Sequence, residues 1–255
     1  MPALLEARAL SYAFEKGRPI LTGISLKVER GEFVIIAGRN GSGKTVLAKC
    51  LAGILDTKPE SVLYQGTEYK KLKGSPATCV AYLFQDARLQ ILGDTLLDDV
   101  RFGLESLKLG LAEEEGRGRA LLASVGLGGK ESMPPWQLSG GEQRRLAIAG
   151  VLALAPSVLI LDEPFANLDW QSVAGLLVLL DHLAAAGTTI FIVTHELEKV
   201  VGRADRLVVL EDGEVVADST PRALVGAGLE AWGLRNPLRP SDRLEDLLWI
   251  GGKGP

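Results

Sequence analysis

Eight consecutive residues, Gly38-Arg39-Asn40-Gly41-Ser42-Gly43-Lys44-Thr45, space flexible glycines ahead of a lysine and a hydroxyl in the pattern that cradles a polyphosphate. The glycines let successive backbone N–H groups turn inward around an anion. The apolar run Glu32 to Ala37 before them reads as a buried strand, and Val46 to Leu55 after them carries helical spacing. The helix therefore points its positive N-terminal end at the same phosphate. Lys44 is placed to reach the β- and γ-phosphates of ATP, and Thr45 to offer its hydroxyl to Mg²⁺. Val46, first in the helical run, belongs with the residues around the nucleotide.

A second acidic element follows at Val158-Leu159-Ile160-Leu161-Asp162-Glu163-Pro164. It is an apolar strand that delivers two carboxylates at its C-terminal end, where α/β sheets collect ligands. Asp162 suits Mg²⁺; Glu163, facing the other way, suits a general base that polarises water.

The elements that must hold these groups alternate in type. Ile20 to Val28, Val80 to Phe84, Thr189 to Val193 and Arg206 to Leu210 repeat the short strand pattern, with helix-like stretches between the later ones. This order implies a mainly parallel sheet covered by helices. Between Gln85 and Leu138 no strand pattern occurs; Thr95 to Leu109 and Glu113 to Val125 read as helices, an inserted helical subdomain over about 86–150. Residues 1–228 are expected to form the main domain and 229–255 a short extension, with a possible helix from Ser241 to Ile250 presenting Leu244, Leu247 and Leu248.

Composition narrows the functional classes. The 255 residues carry a formal charge of −4, which offers no broad basic surface, so no nucleic-acid partner is expected. Cys50 and Cys79 lack metal-ligand or redox spacing. The start has no secretory pattern, and the longest apolar run, Leu146 to Leu161, is broken by Pro156 and falls short of the roughly 20 residues a membrane span needs. A role in transport would require separate membrane-spanning subunits.

Between the phosphate loop and the acidic strand lies Leu138-Ser139-Gly140-Gly141-Glu142-Gln143, opening a helix expected over Glu142 to Leu154. Here the sequence resembles the ATP-binding cassette (ABC) family over nearly its whole length. The resemblance implies an α/β P-loop NTPase core with a mainly parallel sheet, an antiparallel β subdomain and the inserted helical subdomain. It further implies that Ser139, Gly140, Gly141 and Glu142 serve the γ-phosphate held by a second ATPase subunit, identical or paralogous. Tyr12 resembles the aromatic that stacks on adenine, and Gln85 the glutamine that senses Mg²⁺ and water. Asn167-Leu168-Asp169 resembles the loop that crosses the dimer interface, and His195 the histidine that contacts the γ-phosphate.

Within that family, Phe84 to Thr95 with Gln90, Asp99-Val100-Arg101-Phe102-Gly103 and Ala147-Ile148-Ala149-Gly150 are similar to the ATPases of energy-coupling factor importers, which take up vitamins or cobalt and nickel ions. Asp86-Ala87 stands where Asn-Pro is usual. The resemblance implies an ATPase peripheral to the cytoplasmic face of the membrane, contacting its membrane partner through Gln85 to about Leu104. A soluble ABC mechanoenzyme of DNA repair or translation would carry a coiled coil or a second cassette, and neither pattern is present. A nucleotide sensor without hydrolysis would not require an intact Glu163 and His195.

Overall fold

The computed structural model describes residues 2–14, 17–72 and 78–238. A six-stranded sheet has the order β10-β9-β3-β8-β7-β6, with β3 (Phe33–Ala37), β6 (Val80–Leu83), β7 (Val158–Asp162), β8 (Thr189–Val193) and β9 (Arg206–Glu211) mutually parallel and β10 (Glu214–Ser219) antiparallel at the edge. A second, antiparallel sheet pairs β2 (Leu21–Val28), β1 (Leu5–Tyr12), β4 (Val62–Tyr64) and β5 (Thr67–Glu68) in that order. Side chains alternate across a strand, and β3 shows the consequence. Phe33, Ile35 and Ala37 enter the core shared with the helical layer, whereas Val34 and Ile36 enter the core shared with the antiparallel sheet.

The helices are α1 (Lys44–Leu51), α2 (Leu96–Glu105), α3 (Leu111–Ser124), α4 (Gly140–Leu152), α5 (Trp170–Ala185) and α6 (Pro221–Ala227). The expected helix after the phosphate loop begins two residues earlier and stops at Leu51, ahead of the positive-φ Gly53. Thr95 is the cap of α2, its hydroxyl accepting from the N–H of Asp98, which trims the expected 95–109 helix. Only α2, α3, α4 and short 3₁₀ turns lie between β6 and β7, as the inserted-subdomain reading requires. Leu229 and Leu234 are buried in the same core as Leu224 and Val225 of α6. The possible helix at Ser241 to Ile250 lies outside the described residues. None of the described helices is long and apolar enough to cross a membrane.

Candidate functional site

The phosphate loop leaves the C-terminal end of β3 and folds back over its own lysine. Lys44 is buried, and its Nζ donates to the carbonyls of Gly38 (2.8 Å) and Arg39 (2.9 Å). Burial lowers the ammonium from its usual range, opposed by the charges of Glu163 and Asp162. Gly38 is required sterically: a Cβ there would sit 2.2 Å from the Leu210 carbonyl oxygen. A cavity of about 750 Å³ opens over this loop and is lined by Asn40, Gly41, Gly43, Lys44, Thr45 and Val46 together with Phe14, Gln85, Glu163 and His195.

The end of β7 sends its two carboxylates to opposite neighbours. Asp162 Oδ2 accepts from the Tyr82 hydroxyl at 2.7 Å, which, after burial, helps raise that phenol's pKa. Glu163 Oε2 accepts from the Thr194 hydroxyl at 3.1 Å, and Oε1 lies 2.8 Å from His195 Nδ1. The backbone of Glu163 is equally fixed: its N–H donates to Val193 O (2.8 Å), and its carbonyl accepts from the buried Arg144 (3.1 Å). Arg144 also donates to the Gln85 carbonyl at 2.7 Å. These anchors hold Glu163 at φ 45°, a left-handed conformation that costs on the order of 1–2 kcal/mol for a residue with a Cβ.

Two buried oxygens at this site have no hydrogen-bond partner, Ser42 Oγ and Asp162 Oδ1. An unpaired buried acceptor is costly, and a carboxylate oxygen in this state, with Thr45 on the same 540 Å³ cavity beside Asp162, suits a hard cation. Gln85 lines both cavities. Among the described residues no group of three or more His, Cys, Asp or Glu forms a protein-only metal cage.

Several expected residues lie elsewhere. Tyr12 does not line the phosphate cavity. It ends β1, packs partly buried on the antiparallel-sheet core and meets Phe14 edge-on with centroids 5.3 Å apart. Phe14, two residues on and 65% exposed, is the aromatic on the cavity wall. Ser139, Gly140, Gly141, Glu142 and Asp169 are likewise absent from that wall. Asp169 caps α5, accepting from the Ser172 N–H at 2.7 Å. Gly141 lets the starts of α4 and α5 meet, since a Cβ there would lie 2.4 Å from Ser172 Oγ. Glu142, expected to serve the ligand, turns its carboxylate back onto Ser139 and Lys130, completing a capping box. The N-terminus of α4 thus leaves Ser139 exposed and off both cavities, while Gly140 lines the 540 Å³ cavity with Thr45 and Asp162.

The sequence profile of the family described as ABC transporter matches residues 21–166. The energy-coupling factor transporter ATP-binding protein EcfA of Methanothermobacter thermautotrophicus is 39% identical over 223 residues, covering 86% of this chain and 71% of that protein. Among solved structures, cbiO1 from Clostridium perfringens, described as part of the ABC transporter complex cbiONQ, aligns with a TM-score of 0.80 at 32% identity over 91% of this chain and 93% of that one. The dimeric, post-hydrolysis ATP-binding cassette MJ0796 bound to ADP and Pi aligns with a TM-score of 0.75 at 26% identity, covering 86% and 99%.

Proposed function

The chain belongs to the ABC transporter family of ATP-hydrolysing cassettes, and on that premise we propose that it is the subunit that powers a membrane importer of the energy-coupling factor class for a vitamin or a transition-metal ion. One observation carries the mechanism: Ser139 and Gly141 at the start of α4 line neither cavity beside their own chain's phosphate loop, and Gly140 reaches only the 540 Å³ one, while the Ser139 hydroxyl is exposed. Two cassettes placed face to face would complete each other's sites, each ATP lying between one subunit's Gly38 to Thr45 and the partner subunit's Ser139. Trp136 (73% exposed) and Trp170 (81% exposed), beside the starts of α4 and α5, are large apolar surfaces that such closure would cover.

Within the site, Lys44 neutralises the β- and γ-phosphate oxygens, and Phe14 takes the base that the sequence assigned to Tyr12. Glu163 accepts the proton of the attacking water, held in place by Thr194 and His195, and His195 also meets the γ-phosphate. Thr45, Asp162 and Gln85 are the residues that would hold Mg²⁺, which supplies charge neutralisation on the phosphate oxygens when bound. The bond that breaks joins the γ-phosphorus to the bridging oxygen; ADP leaves and the water oxygen becomes part of phosphate. Hydrolysis then reopens the dimer.

The membrane partner would rest on the groove between α2 and α4, where Leu92 and Phe102 are exposed around a 240 Å³ cavity. On this reading the protein works at the cytoplasmic face of the membrane. Gentle solubilisation of native membranes, followed by identification of proteins that copurify with the tagged chain in an ATP-sensitive way, tests the reading. A small integral membrane pair is the expected result; recovery of DNA- or ribosome-associated proteins alone would overturn it.

A further inference from the structure

The two oxygens of Glu142 do different work. Oε2 accepts from the backbone N–H of Ser139 (2.9 Å) and from its hydroxyl (2.8 Å), while the same hydroxyl oxygen accepts from the Glu142 N–H (3.3 Å). Oε1 is bonded to the ammonium of Lys130. Lys130 comes from the loop between α3 and α4, and that loop is clamped to the start of α2 by the bonds Leu96 N–H to Met133 O and Leu97 N–H to Glu131 O, each 3.0 Å. The lysine is therefore presented by a fixed segment. Its bond, followed by those from Ser139, brings the Glu142 carboxyl down to about 2, so the carboxylate is fully ionised at neutral pH.

This arrangement has an electrostatic consequence for the sandwich proposed above, on which the inference rests. The Ser139 hydroxyl and the first N–H groups of α4 are the groups offered to the γ-phosphate of the second subunit, yet an anion already holds the hydroxyl's proton. A polyphosphate arriving there meets a like charge within a few ångströms, where repulsion is appreciable even in a wet interface. We infer that Lys130 is a positioning residue for this helix start: it neutralises Glu142 and keeps it folded back. The Ser139 hydroxyl can then turn from Glu142 to the phosphate without an unpaired anion beside it. Lys130 lines neither cavity beside its own chain's phosphate loop.

ATP-dependent dimerisation of a slow-turnover Glu163→Gln background, followed by analytical ultracentrifugation, provides the test. Lys130→Met is expected to raise the ATP concentration for half-maximal dimerisation about tenfold. Binding of a fluorescent ATP analogue to the monomer, at protein concentrations too low to dimerise, should stay unchanged. Lys130→Arg should restore dimerisation, and so should Lys130→Met combined with Glu142→Gln, because the amide oxygen still accepts from Ser139 but carries no charge. Should Lys130→Met fold poorly, Glu142→Gln alone must dimerise at an equal or lower ATP concentration. Unchanged dimerisation in Lys130→Met, or a double variant no better than the single one, overturns the inference. If the Glu163→Gln chain itself fails to dimerise with ATP, the sandwich reading fails and this inference with it.

Discussion

Replacing Glu163 by glutamine removes one charge and one basic oxygen while leaving shape and backbone intact. The amide oxygen can keep the Thr194 hydroxyl bond now measured at 3.1 Å, and the amide N–H can donate to His195 Nδ1 across the present 2.8 Å. Glutamine also accepts the φ of 45° no worse than glutamate does, and the bonds to Val193 and Arg144 are made by the main chain. Thermal stability should therefore move by less than about 0.5 kcal/mol, as for substitutions that create no cavity or unpaired buried group. Turnover should not survive. A positioned general base contributes about 10²–10⁴-fold, which at about 1.36 kcal/mol per decade is roughly 3–5 kcal/mol of barrier. ATP binding should be kept, since Lys44 and its loop are untouched and one anion near the phosphates is gone. Steady-state phosphate release and equilibrium nucleotide binding, measured on the same preparation, decide the matter. A kcat within tenfold of the unmodified chain, or loss of ATP binding, would refute the assignment of Glu163 as the base.

Lys44→Ala removes a charge-assisted donor worth about 1.5–3 kcal/mol, so the Kd for ATP should rise roughly tenfold to a hundredfold and phosphate release should cease; calorimetric titration checks the first and a turnover assay the second. Phe14→Ala should weaken ATP binding by about 1–3 kcal/mol, the range for losing an aromatic–base stack, without lowering Tm, whereas Tyr12→Leu, which removes the other ring, should leave nucleotide affinity unchanged; a loss in Tyr12→Leu equal to that in Phe14→Ala would assign the base contact to Tyr12. The Glu142 carboxyl is depressed in the folded state, so its contribution is complete above the ordinary glutamate pKa of 4.5 and is lost as pH falls towards about 2. Denaturant midpoints taken across that window should fall less steeply for Glu142→Gln than for the unmodified chain.

The groups that announce themselves in the sequence are those whose chemistry is local. The phosphate loop needs its glycines and lysine in one stretch, and β7 carries Asp162 and Glu163 on adjacent residues, so both could be placed before any contact was known. Thr194 and Arg144 could not, because their work is done through space: Arg144 binds carbonyls 19 and 59 residues away. The available signal was an arginine set within the otherwise apolar face of α4. The first strand was missed because its alternation breaks where the register shifts between Ala7 and Leu10 around a positive-φ Ala9. That break also hid which aromatic is free. A regular strand leaves Tyr12 and Phe14 equivalent by period, and only the packing of Tyr12 on the second sheet separates them. The edge strand β10 escaped because both of its faces are partly exposed, leaving the weak alternation of Glu214 to Ser219.

Arg144 shows why the missed residues matter for the mechanism. Strain at Glu163 persists only if the surroundings over-determine its conformation, and the guanidinium supplies one of the anchors by binding the Glu163 carbonyl. The same guanidinium binds the carbonyl of Gln85, where the chain leaves β6 towards Gln90 and α2. Gln90 in turn ties that turn back to the strand, its amide donating to Tyr82 O and accepting from Phe84 N–H, both at 2.8 Å. A shift of the turn after β6 therefore cannot leave the carbonyl of Glu163 unaffected without breaking a bond to a buried charge, which is expensive in an interior. In the proposed importer this is the physical link between the α2–α4 groove and the residue that meets water. It runs through one side chain with two fixed acceptors.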